Sequence, residues 1–200
     1  MQLRIKEAVR MSVKSIMIVG VGGQGTLLAS RILGEALVCE GFDVKVSEVH
    51  GMSQRGGSVV TYVKYGDKVA SPIIEKGEAD LLLSFEQLEA ARWLPFLKTD
   101  GKVIVNTQTI DPMPVITGVA SYPEEIIENL CSAGADVTAF DALSVAVEAG
   151  SPKAVNVVLI GTLAKRTDIP KETWIEAIKN TVPAKFLELN LKAFELGYNK

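Results

Sequence analysis

The stretch S-I-M-I-V-G-V-G-G-Q-G, residues 15–25, runs straight into T-L-L-A-S-R-I-L-G-E-A-L, residues 26–37. Residues 16–19 form an unbroken apolar run, which reads as a strand buried on both faces. Glycines follow at 20, 22, 23 and 25, and then Leu27, Leu28, Ile32, Ala36 and Leu37 recur at helical spacing. Strand, glycine turn and helix start, in that order, is the setting a G-x-G-x-x-G pattern needs in order to carry meaning. Gly20 permits the tight turn, Gly22 lets another backbone or a phosphate approach, and Gly25 brings helix and strand together. The free N–H groups of a helix over residues 26–40 then point at the carboxyl edge of a sheet.

The rest of the chain can be placed around that unit. Gly41 ends the first helix, and residues 44–49 read as a second strand. S-V-V-T-Y-V-K-Y, residues 58–65, is rich in β-branched and aromatic residues and stops at Gly66-Asp67, a turn signal, so residues 68–70 are expected to return as its hairpin partner. Buried strands are expected at 79–85, 102–106 and 136–140, with a helix over 86–94 between the first two. The segment with two prolines after Asn106 reads as a loop or extended edge. Pro123 is expected to open a helix through 124–133, Asp141 to cap one over 142–149, and Ser151-Pro152 to start the apolar stretch 154–165. Amphipathic helices over 172–181 and 184–196 close the chain and are expected to pack on its own sheet. This describes an α/β fold: a three-layer, mostly parallel, doubly wound Rossmann-like sheet with an antiparallel hairpin at one edge and C-terminal helices. Residues 14–200 form one domain in this reading, and residues 1–13 a short extension in which Met11 reads as a natural start.

Composition narrows the function. Two hundred residues at 48% hydrophobic suffice for one sizeable core, burying roughly 70% of the unfolded surface. A net charge of −3, with Lys and Arg scattered, argues against nucleic acid as the main partner. No apolar run reaches the ~20 residues that cross a bilayer, and a cytoplasmic protein is the simplest reading. Cys39 and Cys131 are far apart, outside any C-x-x-C, and two thiols cannot hold an iron–sulfur cluster. With a single His besides, no metal is expected on this chain, and both cysteines, on helices, are expected as small buried hydrophobes.

A second unusual stretch is S-E-V-H-G-M-S-Q-R-G-G-S-V, residues 47–59. It follows the second strand and should therefore lie near the first glycine loop. Glu48, His50, Met52, Ser53, Gln54 and Arg55, with Gly51, Gly56 and Gly57, are concentrated there. Singly, each has a plain structural explanation: turn geometry for the glycines, solvation for Arg55, a structural hydrogen bond for His50. Together, beside a glycine-rich helix start, they read as a ligand or partner surface, and an arginine over backbone N–H donors suits a phosphate or carboxylate. A free-standing NAD(P) oxidoreductase is the rival, since Glu48 lies 23 residues after Gly25 at the end of the second strand, where a ribose-binding acid belongs. Against it stand the extra Gly and Gln of G-V-G-G-Q-G and the long polar loop after Glu48. A purely structural scaffold is a third possibility.

The two loops in this order resemble the gamma-type subunits and domains of 2-oxoacid:ferredoxin oxidoreductases, and H-G-M-S-Q-R-G-G is most similar to the small subunit of the indolepyruvate-acting branch. The similarity extends over Lys14 to Tyr198, including D-L-L-L-S-F-E-Q-L-E-A-A-R-W-L-P, V-I-V-N-T-Q and V-P-A-K-F-L-E-L-N-L-K-A-F-E-L-G-Y. The resemblance implies a required but non-catalytic subunit, inactive alone, of a complex that oxidatively decarboxylates an arylpyruvate, forms an acyl-coenzyme A and reduces ferredoxin. Thiamine diphosphate, Mg and iron–sulfur clusters would then sit in a larger partner subunit, because this chain shows neither G-D-G with a distal Asn nor a cysteine set. Carried onto this sequence, the resemblance makes Gly20, Gly22, Gly23, Gln24 and Gly25 candidates for contact with a cofactor or coenzyme A. Glu48, His50, Met52, Ser53, Gln54, Arg55, Gly56 and Gly57 would form the loop toward the partner's active site, with no residue assigned a proton-transfer role.

Overall fold

The structure, a computed structural model, describes residues 12–50 and 56–200. Its strands are β1 (Lys14–Val21), β2 (Asp43–His50), β3 (Ser58–Gly66), β4 (Ala79–Ser84), β5 (Leu97–Asn106) and β6 (Asp136–Phe140), joined in one sheet of order β2-β3-β1-β4-β5-β6. The helices are α1 (Thr26–Cys39), α2 (Gln87–Trp93), α3 (Met113–Ile116), α4 (Ile126–Ser132), α5 (Ala142–Ala149), α6 (Val155–Lys165), α7 (Lys171–Thr181) and α8 (Leu187–Tyr198).

Strand side chains alternate between two apolar layers. Ile16, Ile18, Val63, Leu81, Leu83 and Ile104 face α1 and α5 to α8, whereas Met17, Val19, Val60, Leu82, Val103 and Val105 face α2 and α4. The C-terminal helices pack on their own sheet, as their apolar faces require: Trp174, Ile178, Ala193 and Phe194 are buried. β1, β2, β4, β5 and β6 run in one direction, and β3 alone runs opposite to them, antiparallel to both β2 and β1.

The edge hairpin differs from the one expected. It joins β2 to β3, and β3 pairs along its length with β1 on its other side. The segment between β2 and β3 is far too short for a parallel crossover, which needs a dozen or more residues. β3 is also apolar on both faces, so it sits inside the sheet and leaves β2 at the edge. Residues 68–70 form no strand; the Val69 N–H donates to Asp43 Oδ2 at 2.8 Å, a tie across the start of β2.

Pro123 does not open a helix either. α4 begins at Ile126 after Glu125, whose φ of 56° breaks the helical path. Asp141 caps α5 by accepting from the Ser144 N–H at 3.0 Å, and Ser151 starts a 3-10 turn, Pro152–Ala154, that leads into α6. Cys39 and Cys131 lie on helices but are exposed, contrary to the burial expected of them. In α1 the buried stripe ends at Leu37, and Cys39 lies beyond it, with Glu35, Glu40 and Glu176 around the thiol.

Candidate functional site

β1 leaves the sheet at Val21 and turns into α1 through Gly22, Gly23, Gln24 and Gly25. Gln24 holds this turn in shape. Its Oε1 accepts the Val21 N–H at 2.7 Å, and its Nε2 donates to the Phe85 carbonyl at 3.0 Å and toward Gln108 Oε1 at 3.4 Å. One carboxamide thereby ties the ends of β1 and β4 to the segment after β5. Gly20 leaves room for that side chain: a Cβ there would lie 2.9 Å from both Gln24 Oε1 and Phe85 Cβ. Gly25 adopts φ +86°, and a Cβ on it would meet the Asn156 carboxamide at 2.8 Å. Asn156, buried at the start of α6, donates to the Gly25 carbonyl at 3.3 Å.

The second loop returns directly onto the first. The Gly22 N–H donates to the Gly57 carbonyl at 2.8 Å, and the Gly56 N–H approaches the Gly22 carbonyl at 3.5 Å. The two glycine stretches are therefore neighbours at the carboxyl rim. His50 pairs through its backbone with Val59. Gly51, Met52, Ser53, Gln54 and Arg55 lie outside the described residues. Glu48 is half-buried on β2, opposite Thr61. The insertion of β3 sets β2 two strand spacings, about 10 Å, from β1. Glu48 thus leaves the position beside β1 that a ribose-binding acid occupies in a dinucleotide fold.

Next to the first loop is a cleft of about 460 Å³, lined among others by Gly23, Gln24, Gln108, Leu143, Lys153 and Asn156. The beginnings of α1, α5 and the turn into α6 converge on it, bringing the positive ends of helix dipoles, with Lys153 adding charge. It lies between β1 and β4, where the strand order reverses, the usual crevice for ligands in open α/β sheets. This arrangement favours an anionic group. Among the described residues no group of three or more His, Cys, Asp or Glu could hold a metal ion.

Sequence reading missed the polar residues behind the rim. Asn106, fully buried at the end of β5, donates to the Phe85 carbonyl at 3.1 Å and accepts from the Ala142 N–H at 3.0 Å. Glu86, 1% exposed, accepts from the Glu89 N–H at 3.0 Å, the Ile110 N–H at 3.2 Å and the Tyr122 hydroxyl. Burial and then the bond to Glu86 push the Tyr122 hydroxyl above the usual tyrosine range. Glu89, also buried, accepts from the Ser58 hydroxyl, Arg92 Nε at 3.1 Å and Trp93 Nε1 at 3.3 Å. It thereby fixes the first residue of β3, immediately after the second loop. The available signal was a polar residue at or just after the end of an otherwise apolar strand, as in L-L-L-S-F-E and V-I-V-N.

The chain is similar along nearly its whole length to proteins of one kind. Residues 15–200 match the family described as pyruvate ferredoxin/flavodoxin oxidoreductase. Over 190 residues it is 44% identical to the indolepyruvate oxidoreductase subunit IorB of Thermococcus kodakarensis, covering 92% of this chain and 93% of that one. The corresponding subunit of Pyrococcus horikoshii is 45% identical over 188 residues, with the same coverage. Among solved structures, a keto/oxoacid ferredoxin oxidoreductase gamma subunit from Geobacter sulfurreducens superposes with a TM-score of 0.70 at 27% identity, covering 93% of this chain and 96% of that chain. The fold also recurs within 2-oxoglutarate:ferredoxin oxidoreductase from Magnetococcus marinus, with a TM-score of 0.72 at 19% identity over 94% of this chain and 30% of that one. With its two glycine loops joined at the rim, residues 15–200 matched by the family model and the IorB relatives matched over 93% of their length, the chain belongs to the pyruvate ferredoxin/flavodoxin oxidoreductase family.

Proposed function

We propose that this chain is the small, non-catalytic but required subunit of a cytoplasmic 2-oxoacid:ferredoxin oxidoreductase that acts on arylpyruvates, indolepyruvate among them. The observation that carries the reading is the Gly22 to Gly57 hydrogen bond, which joins both loops into one surface beside the cleft. The relatives named as indolepyruvate oxidoreductase subunits support the substrate class. In this reading residues 14–200 act as a single gamma-type domain and residues 1–13 as an extension. A larger partner subunit holds thiamine diphosphate, Mg and the iron–sulfur clusters, and passes electrons to ferredoxin. Thiamine diphosphate supplies the stabilised carbanion when bound there.

The residues of this chain shape the surroundings. Gly20 and Gln24 fix the first turn, so that Gly22, Gly23 and Gly25 present backbone to the cleft and the neighbouring loop. Glu48, His50, Met52, Ser53, Gln54, Arg55, Gly56 and Gly57 form the side turned toward the partner's active site. Arg55 contributes charge for an anionic co-substrate, coenzyme A. Co-expression with the large subunit tests the reading. The chain should copurify with a cysteine-rich, thiamine-binding polypeptide, and Arg55→Ala should weaken coenzyme A affinity of the complex. A chain that remains alone and binds NADH with micromolar affinity would overturn it, and unchanged activity and coenzyme A affinity in the variant would leave the loop a scaffold.

A further inference from the structure

Beyond β5, residues 107–121 form an arm that leaves the carboxyl rim and returns to it, with α3 near its tip. One buried carboxylate holds both roots. Glu86 Oε1 accepts the Ile110 N–H at 3.2 Å on one side and the Tyr122 hydroxyl on the other, and that hydroxyl accepts the Leu88 N–H at 3.2 Å. Gln108, in the first root, reaches Gln24 of the glycine turn at 3.4 Å.

Between its roots the arm is ordered by its own backbone. The Ile116 N–H donates to the Pro112 carbonyl at 3.1 Å, the Thr117 N–H to that of Met113 at 2.9 Å, and the Val119 and Ala120 N–H groups both to that of Pro114, at 2.8 and 3.0 Å. Yet none of residues 110–120 joins either apolar layer of the core. Met113, Ile116 and Val119 are instead 64%, 65% and 82% exposed. Apolar side chains clustered in water mark an interaction site, and an element already shaped costs less to order on binding.

Area and position decide what covers it. A stable interface needs about 800 Å² from each partner, more than three side chains supply, so two copies meeting arm to arm would fall short. The rim provides the remainder. Leu27 lies in the first turn of α1, Val49 near the end of β2 and Leu143 in the first turn of α5, and all three are exposed. Exposed apolar groups thus stand at the carboxyl ends of β1, β2, β5 and β6, on the side that carries both glycine loops. We propose that the arm is the apolar anchor by which this rim docks on the large subunit, with Met113, Ile116 and Val119 entering an apolar groove of that partner. The assignment rests on the reading of the chain as a subunit of the oxidoreductase complex.

Calorimetric titration of the large subunit with the full chain tests the proposal without any turnover. Ile116→Asp combined with Val119→Asp should weaken association about tenfold or more, because the contact would bury unpaired charge. Val38→Asp, at an equally exposed valine near the far end of α1, should leave it unchanged. The double variant should unfold at the parent's urea midpoint, since neither side chain packs on the core, and amide exchange over residues 115–120 of the parent should slow in the complex. A parent chain that fails to bind the large subunit would overturn the subunit reading and the anchor with it. Parent binding matched by the double variant, unslowed exchange in the arm, or a lowered midpoint would overturn the anchor alone. So would an isolated parent that self-associates and becomes monomeric in the double variant, which would assign the arm to a second copy.

Discussion

Gln24 offers a sharp test of how the first glycine loop is held. Gln24→Ala removes the acceptor of the Val21 N–H at 2.7 Å and the donor to the Phe85 carbonyl at 3.0 Å. Phe85 retains the Asn106 carboxamide at 3.1 Å, so the main penalty is the abandoned Val21 N–H. One half-buried donor left unpaired and one ordinary bond lost come to about 2–3 kcal/mol. Gln24→Glu keeps the acceptor but sets a carboxylate oxygen against the Phe85 carbonyl and Gln108 Oε1. A protonated carboxyl could still donate there, so the introduced group has a folded-state pKa above its unfolded value near 4.3. The folded state then binds more protons than the unfolded one, and stability falls as pH rises. The deficit of Gln24→Glu relative to the parent should be small below about pH 4 and should grow until the folded-state carboxyl itself ionises. Urea unfolding followed by circular dichroism across that range reads it directly. Parent-like stability at neutral pH, or a deficit independent of pH, would refute the clamp.

Other consequences are as open to measurement. A Cβ on Gly197 would lie 2.0 Å from the Val158 carbonyl, where α8 crosses α6; Gly197→Ala should cost about 3 kcal/mol or more in urea unfolding, and a parent-like midpoint would contradict that crossing. Tyr122 and Tyr65 are both held neutral by burial, with Glu86 bonded to the first and Asp80 and Asp168 near the second. Their contribution is fully present below the unfolded tyrosine value of about 10 and declines as pH rises above it. Tyr122→Phe should flatten that alkaline decline, which pH-dependent unfolding would reveal. Cys39 and Cys131 are exposed, so both should be alkylated in native protein, with Cys39 slower near neutrality because slight burial and then Glu35 raise its thiol. Mass spectrometry showing protection of either would restore the buried reading.

The parts of the fold that local pattern determines were legible. The run 16–19, the glycines after it and the helical repeat of Leu28, Ile32 and Leu37 specified a strand–turn–helix unit, and Asp141 and Ser151 marked true helix starts. Strand adjacency was not legible from propensity. The apolar two-faced character of residues 58–65 was visible, yet only the shortness of the preceding loop forces β3 to return between β1 and β2. Helix boundaries went astray where Glu125, not Pro123, decides the backbone path. At the site, the glycines announced two turns, and their contact followed from both being at strand ends. The supporting polar residues were harder to see. Gln24 reads as a ligand contact until its carboxamide is found turned back onto Val21 and Phe85, and Glu86, Glu89 and Asn106 acquire their partners only when distant segments meet.

The most direct measurement is 2-oxoacid-dependent ferredoxin reduction by the large subunit alone, by this chain alone and by the two assembled, with thiamine diphosphate, Mg and coenzyme A supplied throughout. Turnover on indolepyruvate should appear only in the assembled complex. Full activity of the large subunit without this chain, or turnover by this chain without its partner, would contradict the account.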